Sequence, residues 1–311
     1  MDEPTLTEQP PTLQPAAAQR WLRWPHTVSP WLHEEIGARM AQRLAWIRLK
    51  PAQWLDWYPL HGGLDAHQKV HAQYPQAQRF AIETSDHRSA AVTKVLNGPW
   101  WRRWWGASRV TMAAPPDGSL QMVWANMSLH IATEPLMLLR QWHKMLAVDG
   151  FLMFSCLGPD TLRELQQLHA QHGWPAPSQA FTDMHDWGDM LIQAGFAEPV
   201  MDMERLTLTY DTCEQLVSDL RALGRNLNAN RFTGLRGKAW RERWLQALRG
   251  LAGSNPSGKM SLTVEVIYGH ALKPVPRVRL AQESSVALED MRSLLGKSRD
   301  SGRLESRMDT L

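Results

Sequence analysis

The stretch from Trp54 to Glu83 constrains this chain more than any other. A short apolar run ends in an acid (Trp54-Leu55-Asp56), and a turn carrying Gly62-Gly63 follows. A helical segment then runs to Tyr74, where Pro75 stops it, and a second apolar run, Phe80-Ala81-Ile82, ends in Glu83. Strand, glycine turn, helix, strand and acid form a unit at which nucleotide-type ligands bind. The turn presents backbone N–H groups at a helix N-terminus, and the acid closing the second strand can take both ribose hydroxyls.

The same alternation continues along the chain. Ser85 or its neighbours cap a helix from about His87 to Val95, and Arg109 to Ala113 reads as a short third strand. Leu120 to Ala125 is a fourth strand with Asn126 at its end, and Pro135 opens a helix with Leu136, Leu139, Trp142 and Leu146 on one face. Asp149-Gly150 turns into Phe151-Leu152-Met153-Phe154-Ser155-Cys156, a run apolar enough for a central strand covered on both faces. A helix from Gly158, a helix from Met184 to Ala194 and a strand from Ala197 to Leu206 follow. Asp211 to Leu223 and Lys238 to Leu251 read as helices, and Leu262 to Leu272 as the final strand. Before the unit, Ser29-Pro30 reads as the N-cap and first turn of a helix carrying Ile36, Met40, Leu44 and Ile47 on one stripe. Strands alternating with helices imply an open α/β sheet with helices on both faces. The expected domains are a disordered arm (1–18), a sheet domain (19–275) with a helical insertion at about 211–260, and a mostly disordered tail (276–311).

Composition narrows the partners. The 311 residues carry a formal charge of +3, too mild an excess to imply nucleic acid by itself. The two cysteines, Cys156 and Cys213, have no metal spacing and suit a reducing compartment, so a cytoplasmic location is expected. No stretch is long and apolar enough to span a membrane. Among sixteen tryptophans, the cluster Trp100-Trp101-Arg102-Arg103-Trp104-Trp105 reads either as a stacking platform for bases or as helix burial with an exposed aromatic edge. No nucleic-acid motif accompanies it, so no nucleic-acid or membrane partner is expected. His130 and His143 sit alone on apolar elements and read as structural. The sequence names no catalytic group.

These features resemble a class I S-adenosylmethionine methyltransferase, in particular the malonyl-acyl-carrier-protein O-methyltransferases of biotin synthesis and their relatives, among them a mitochondrial complex I assembly factor that hydroxylates an arginine. Met122 to Leu165 resembles the family's fourth strand, helix and fifth strand. Ser29 to Leu44 resembles its N-terminal helix. Ala194 to Phe196, Tyr210 to Gly224 and Leu262 to Pro274 resemble its C-terminal half. The resemblance implies a doubly wound, Rossmann-like sheet, mostly parallel with the last strand antiparallel, preceded by N-terminal helices and carrying a helical insertion before that strand. It also implies S-adenosylmethionine as cofactor, with Asp56, Gly62, Glu83 and Asn126 as its binding positions.

The chain departs from the family's loop. Tyr58 and Leu60 stand where two of the three motif glycines belong, and no acid follows the third strand except Asp117, which lies close to the next one. Two function classes therefore stay open: an O-methyltransferase acting on a malonyl-acyl-carrier-protein thioester, and a methyltransferase-fold protein, a pseudoenzyme, that binds or assembles without the donor. A carboxylate acceptor is anionic at neutral pH and needs no general base, so no nucleophile–base pair is required. The expected partner is an acidic acyl carrier protein, met by Arg221, Arg225, Arg231, Arg236 and Lys238; a solvated basic face is the other reading of those residues.

Overall fold

In the computed structural model, seven strands form one sheet in the order β3-β2-β1-β4-β5-β7-β6. The described residues are 13–25, 27–98, 109–254 and 258–276. The strands are β1 (Gln53–Trp57), β2 (Gln78–Ile82), β3 (Val110–Thr111), β4 (Leu120–Ala125), β5 (Leu146–Leu157), β6 (Ala197–Tyr210) and β7 (Met260–Leu272). The first five run parallel, and β7 is antiparallel to both β5 and β6. The expected Rossmann-like sheet with an antiparallel last strand is what the chain forms.

Side-chain alternation along the central strands divides the core in two. Leu55, Trp57, Val123, Ala125, Leu152 and Phe154 pack on one face with Leu139, Trp142, Trp187 and Leu191. Trp54, Met122, Trp124, Phe151 and Met153 pack on the other with Ile36, Met40 and Val70. Successive strand residues point to opposite faces, so apolar runs without polar alternation are what a doubly covered sheet requires. Trp54, Trp124, Trp142 and Trp187 are among the largest fully buried side chains, which accounts for part of the tryptophan content.

Ten α-helices are seen among the described residues: α1 (Pro15–Leu22), α2 (Trp31–Arg43), α3 (Pro59–Gly62), α4 (Leu64–Gln73), α5 (Asp86–Leu96), α6 (Pro135–Met145), α7 (Arg163–Gln171), α8 (Met184–Gln193), α9 (Cys213–Leu223) and α10 (Lys238–Gly250). Ser85, Asp183 and Thr212 cap α5, α8 and α9 by accepting backbone N–H groups. The last two helices form the insertion between β6 and β7, with a small core of their own built on Leu216, Leu245 and Leu248.

Several local expectations are corrected. Ser29 is not the cap of α2: Pro30 holds that position, and the Ser29 hydroxyl instead accepts from Leu64 N at 3.1 Å. The glycine turn is not an open loop, because Pro59 starts a helical turn through Gly62. Asp149-Gly150 is not a turn before β5 but lies within it, with Asp149 at φ 64°. The N-terminal helical pattern is two helices, and α1 begins at Pro15, inside the stretch expected as an arm. The Trp100–Trp105 cluster and all but the first residue of the 276–311 tail lie outside the described residues.

Candidate functional site

The parallel strands bring the four candidate binding residues to one sheet edge. Asp56 and Trp57 in β1 pair with Ala81 and Ile82, so Asp56 and Glu83 lie near neighbouring strand ends, with Asn126 directly after β4 on the other side. This is the carboxyl edge, where open α/β sheets bind ligands. Each of the four is already bonded within the protein.

Asp56 is buried and bonded to His67 Nδ1 at 2.8 Å, while the other ring nitrogen of His67 lies 3.5 Å from Arg79 Nη1. Arginine can only donate, so His67 Nε2 accepts and Nδ1–H donates to Asp56. Burial, and then the charges of Glu83 and Glu34, push the Asp56 carboxyl well above the usual carboxylate range. Burial likewise pushes His67 well below its ordinary value.

Glu83 is closed off completely. One oxygen accepts Leu60 N–H at 2.8 Å. The other accepts Arg88 Nε at 2.8 Å, in an ion pair whose side chains are 0% and 2% exposed for the acid and the base. Arg88 reaches past it to the Trp24 carbonyl at 3.4 Å, and Thr84 Oγ1 donates to the Leu22 carbonyl at 2.5 Å. The chain at and just after the end of α1 therefore straps the end of β2.

Asn126 is a fully buried hub. Its amide nitrogen donates to the carbonyls of His33 (2.8 Å) and of Gly62, and its oxygen accepts from Ser155 Oγ at 2.5 Å. A Cβ on Gly62 would lie 3.0 Å from the Asn126 carbonyl oxygen, so this glycine is needed for close packing of the loop on β4.

The loop itself offers no free donor. From Tyr58 to His67 every backbone N–H has an internal partner. Tyr58 donates to Ile82, His61 and Gly62 to Tyr58, Gly63 to Pro59, and His67 to Gly63. Leu60 donates to Glu83, Leu64 to Ser29 Oγ, and Asp65 and Ala66 to the Glu34 carboxylate at 3.2 and 2.9 Å. Glu34, from α2, thus holds the N-terminus of α4 as an anion would. Tyr58 takes a left-handed conformation (φ 62°, ψ 57°), which costs a non-glycine residue on the order of 1–2 kcal/mol. Leu60 is buried within α3. Asp117 is a surface residue paired with Lys144 at 2.8 Å.

Beside this edge a cavity of about 420 Å³ opens between the sheet and the insertion. His33, His61 and His130 line it, as do Arg221, Arg225, Arg231 and Arg236. His33 Nδ1 donates to the His61 carbonyl at 2.7 Å and His61 Nε2 to the Met127 carbonyl at 3.1 Å. Burial pushes His33 down to about 4, His130 to about 3, and His61 well below its ordinary value, so the three rings are neutral at pH 7. Arg236 stacks over Trp240, its guanidinium 3.8 Å from the ring centre, and Arg225 lies 5.4 Å from Trp21 of α1. Lys238 does not share this setting: it is 90% exposed and 3.9 Å from Glu242. Among the described residues no group of His, Cys, Asp and Glu could hold a metal ion, and no helix is long and apolar enough to cross a membrane.

Arg88, Glu34, His33 and His61 escaped the sequence reading. The spacing of Glu83 and Arg88, acid at a strand end and base in the first turn of the next helix, was a usable signal. Nothing local marked Glu34, whose partners lie on α4, thirty-odd residues further along.

No family model matches the chain. A malonyl-[acyl-carrier protein] O-methyltransferase of Gallionella capsiferriformans is 40% identical over 261 residues, covering 79% of this chain and 86% of that protein. One of Laribacter hongkongensis is 38% identical, covering 80% and 84%, and one of Nitrosospira multiformis 36% identical, covering 80% and 85%. Among solved structures, the YcgJ protein of Bacillus subtilis aligns with a TM-score of 0.51 at 12% identity, covering 78% of this chain and 99% of that one. A putative methyltransferase of Bacillus halodurans gives 0.50 at 14% identity, covering 78% and 100%. At such identities these structures speak for the fold alone.

Proposed function

The chain belongs to the malonyl-[acyl-carrier protein] O-methyltransferase family, and from that premise we infer that it is a transferase acting on the free carboxylate of a malonyl thioester borne by an acyl carrier protein. The observation on the chain itself that supports this is the cavity. It is lined by apolar residues such as Leu32, Leu165 and Leu220, with four arginines and four histidines among its other walls. An extended acyl arm suits the apolar lining, and an acidic carrier suits the arginines. The malonyl carboxylate needs no base, so the chain's task is to align it and exclude water. The N–H groups of neutral His33 and His61 are given to backbone carbonyls, so the cavity's arginines are the groups placed to orient the anion.

The family's donor is S-adenosylmethionine, which would supply the methyl group. The residues at its expected seat do not fit it as they are arranged. Both oxygens of Glu83 are taken, Asn126 is tied on both ends of its amide, and the loop from Tyr58 to His67 has no free N–H. That observation favours a second reading, a methyltransferase-fold protein that binds the carrier-borne acyl group without transferring methyl.

One experiment separates them. The protein is mixed with malonyl-loaded carrier protein, with and without S-adenosylmethionine, and the carrier is weighed by mass spectrometry. The transferase reading expects carrier heavier by one methylene, only with the donor. Carrier binding without a mass change supports the second reading. No binding of the loaded carrier removes both.

A further inference from the structure

The filled donor seat has one component that differs in kind from the rest. Tyr58, Leu60 and Glu34 fill or cap the loop with groups that have other reasons to be there: chain reversal, core packing and helix capping. Arg88 fills the seat with a full charge. It lies on the first turn of α5, 1% exposed, and its guanidinium spans the Glu83 carboxylate and the Trp24 carbonyl. A buried arginine is retained only when its charge is paired, and among the described residues Glu83 is the carboxylate bonded to it.

Hydrogen-bond chemistry makes Arg88 a competitor for a nucleoside. A ribose diol is recognised by a carboxylate because its two hydroxyls donate to carboxylate oxygens. The Arg88 guanidinium supplies one such donor, Nε–H to one Glu83 oxygen, together with a full positive charge. Both donors make charge-assisted bonds to a carboxylate, but only the guanidinium brings a compensating charge to one buried from water, so a neutral diol does not displace it at the same acid. The Trp24 carbonyl holds the guanidinium from the far side, where the chain after α1 passes over the end of β2.

We propose that the Arg88 guanidinium occupies the ribose-diol seat at Glu83 and thereby sets the affinity of this protein for an adenosyl donor. The proposal rests on the transferase reading and names the residue that controls the donor half of the site. Replacing Arg88 by alanine frees one oxygen of Glu83 and opens the volume of the guanidinium beside it.

The test is calorimetric titration of the full chain with S-adenosylmethionine and, separately, with S-adenosylhomocysteine. The expected results are weak but measurable binding to the native protein, and binding to Arg88→Ala tighter by on the order of tenfold or more. Adding Glu83→Gln to Arg88→Ala should abolish that gain, because the gain acts through the carboxylate. If Arg88→Ala does not keep its native circular dichroism, Arg88→Gln, neutral but similar in reach, is titrated in its place with a smaller gain expected. Equal affinity of native and variant protein, absence of binding to both, or a gain that survives Glu83→Gln would each overturn the proposal. Binding of malonyl-loaded carrier to the same native preparation is measured in parallel. Its absence beside a donor gain counts against the substrate reading and leaves the assignment of Arg88 standing.

Discussion

Burial of histidine gives this protein a built-in response to acid. The rings of His33 and His130 are pushed from 6.5 down to about 4 and about 3 by burial, and those of His61 and His67 well below the ordinary value. The unfolded chain takes up these protons near pH 6.5 while the native state refuses them, so the contribution of these four rings is complete above that pH and is lost as pH falls toward the folded values, while the raised carboxyl of Asp56 acts in the opposite sense. A tenfold change in proton affinity is about 1.4 kcal/mol, so His33 alone accounts for roughly 3 kcal/mol of that loss. Urea midpoints measured from about pH 7.5 to pH 5 should fall steadily, and His33→Gln should flatten the slope. A midpoint independent of pH over this range would contradict it. Replacing the two residues that stand at motif-glycine positions, Tyr58→Gly with Leu60→Gly, leaves Glu83 paired with Arg88 and bonded to the backbone N–H of position 60. That double variant should therefore not bind S-adenosylmethionine more tightly than the native chain, as titration would show. The sequence made Asp56, Gly62, Glu83 and Asn126 legible as neighbours, because strand ends can be counted along the chain. It did not reveal what occupies them, because Glu34, His33 and Arg88 reach the loop through tertiary contacts that no local pattern encodes.

Among the elements, α2 is the one through which the loop is held. Its Glu34 caps α4, its Arg43 pairs with Asp202 at 2.8 Å and stacks 3.8 Å from the centre of the Tyr268 ring, and its Gly37 lets it approach α4. A Cβ at Gly37 would stand 2.5 Å from Ala66 Cβ and 2.7 Å from Asn126 Nδ2. Alanine gains up to about 1 kcal/mol over glycine in helix propensity, yet overpacking here costs typically 1–3 kcal/mol. Gly37→Ala is therefore expected to lower the thermal midpoint, and a raised midpoint would show that the two helices can move apart freely. Glu34→Ala should cost about 1 kcal/mol through the lost cap of α4. Most helices and strands were readable from periodicity, proline stops and caps. Ser29 was misread because Ser-Pro before an apolar stripe is a sound cap signature, while its actual partner, Leu64 N, belongs to another helix. The length of β6 was underread because its outer positions are exposed and polar, and only pairing with β7 carries it on to Tyr210.

At the scale of the whole molecule, the arginine-lined cavity joins three parts of the chain: α1, the sheet edge and the insertion. If an acidic carrier docks there, binding should weaken steeply with salt, since exposed charges are screened beyond about 8 Å at physiological ionic strength. The triple change Arg231→Glu, Arg236→Glu, Lys238→Glu should then weaken carrier binding strongly, with a stability loss confined to the stacking of Arg236 on Trp240. Unchanged binding would assign those residues to a solvated face. The sheet order carries a different consequence, one of timing. On the ribosome β6 is made well before β7, yet β7 must enter between β5 and β6 and pair with both. Until it does, the apolar edge of β5 is open and β6 has no strand to hold it, a state that invites pairing with another chain. Nascent chains halted at Gly250 should therefore stay protease-sensitive and recruit chaperones, while those extended beyond Pro274 and clear of the exit tunnel close the sheet in one late step.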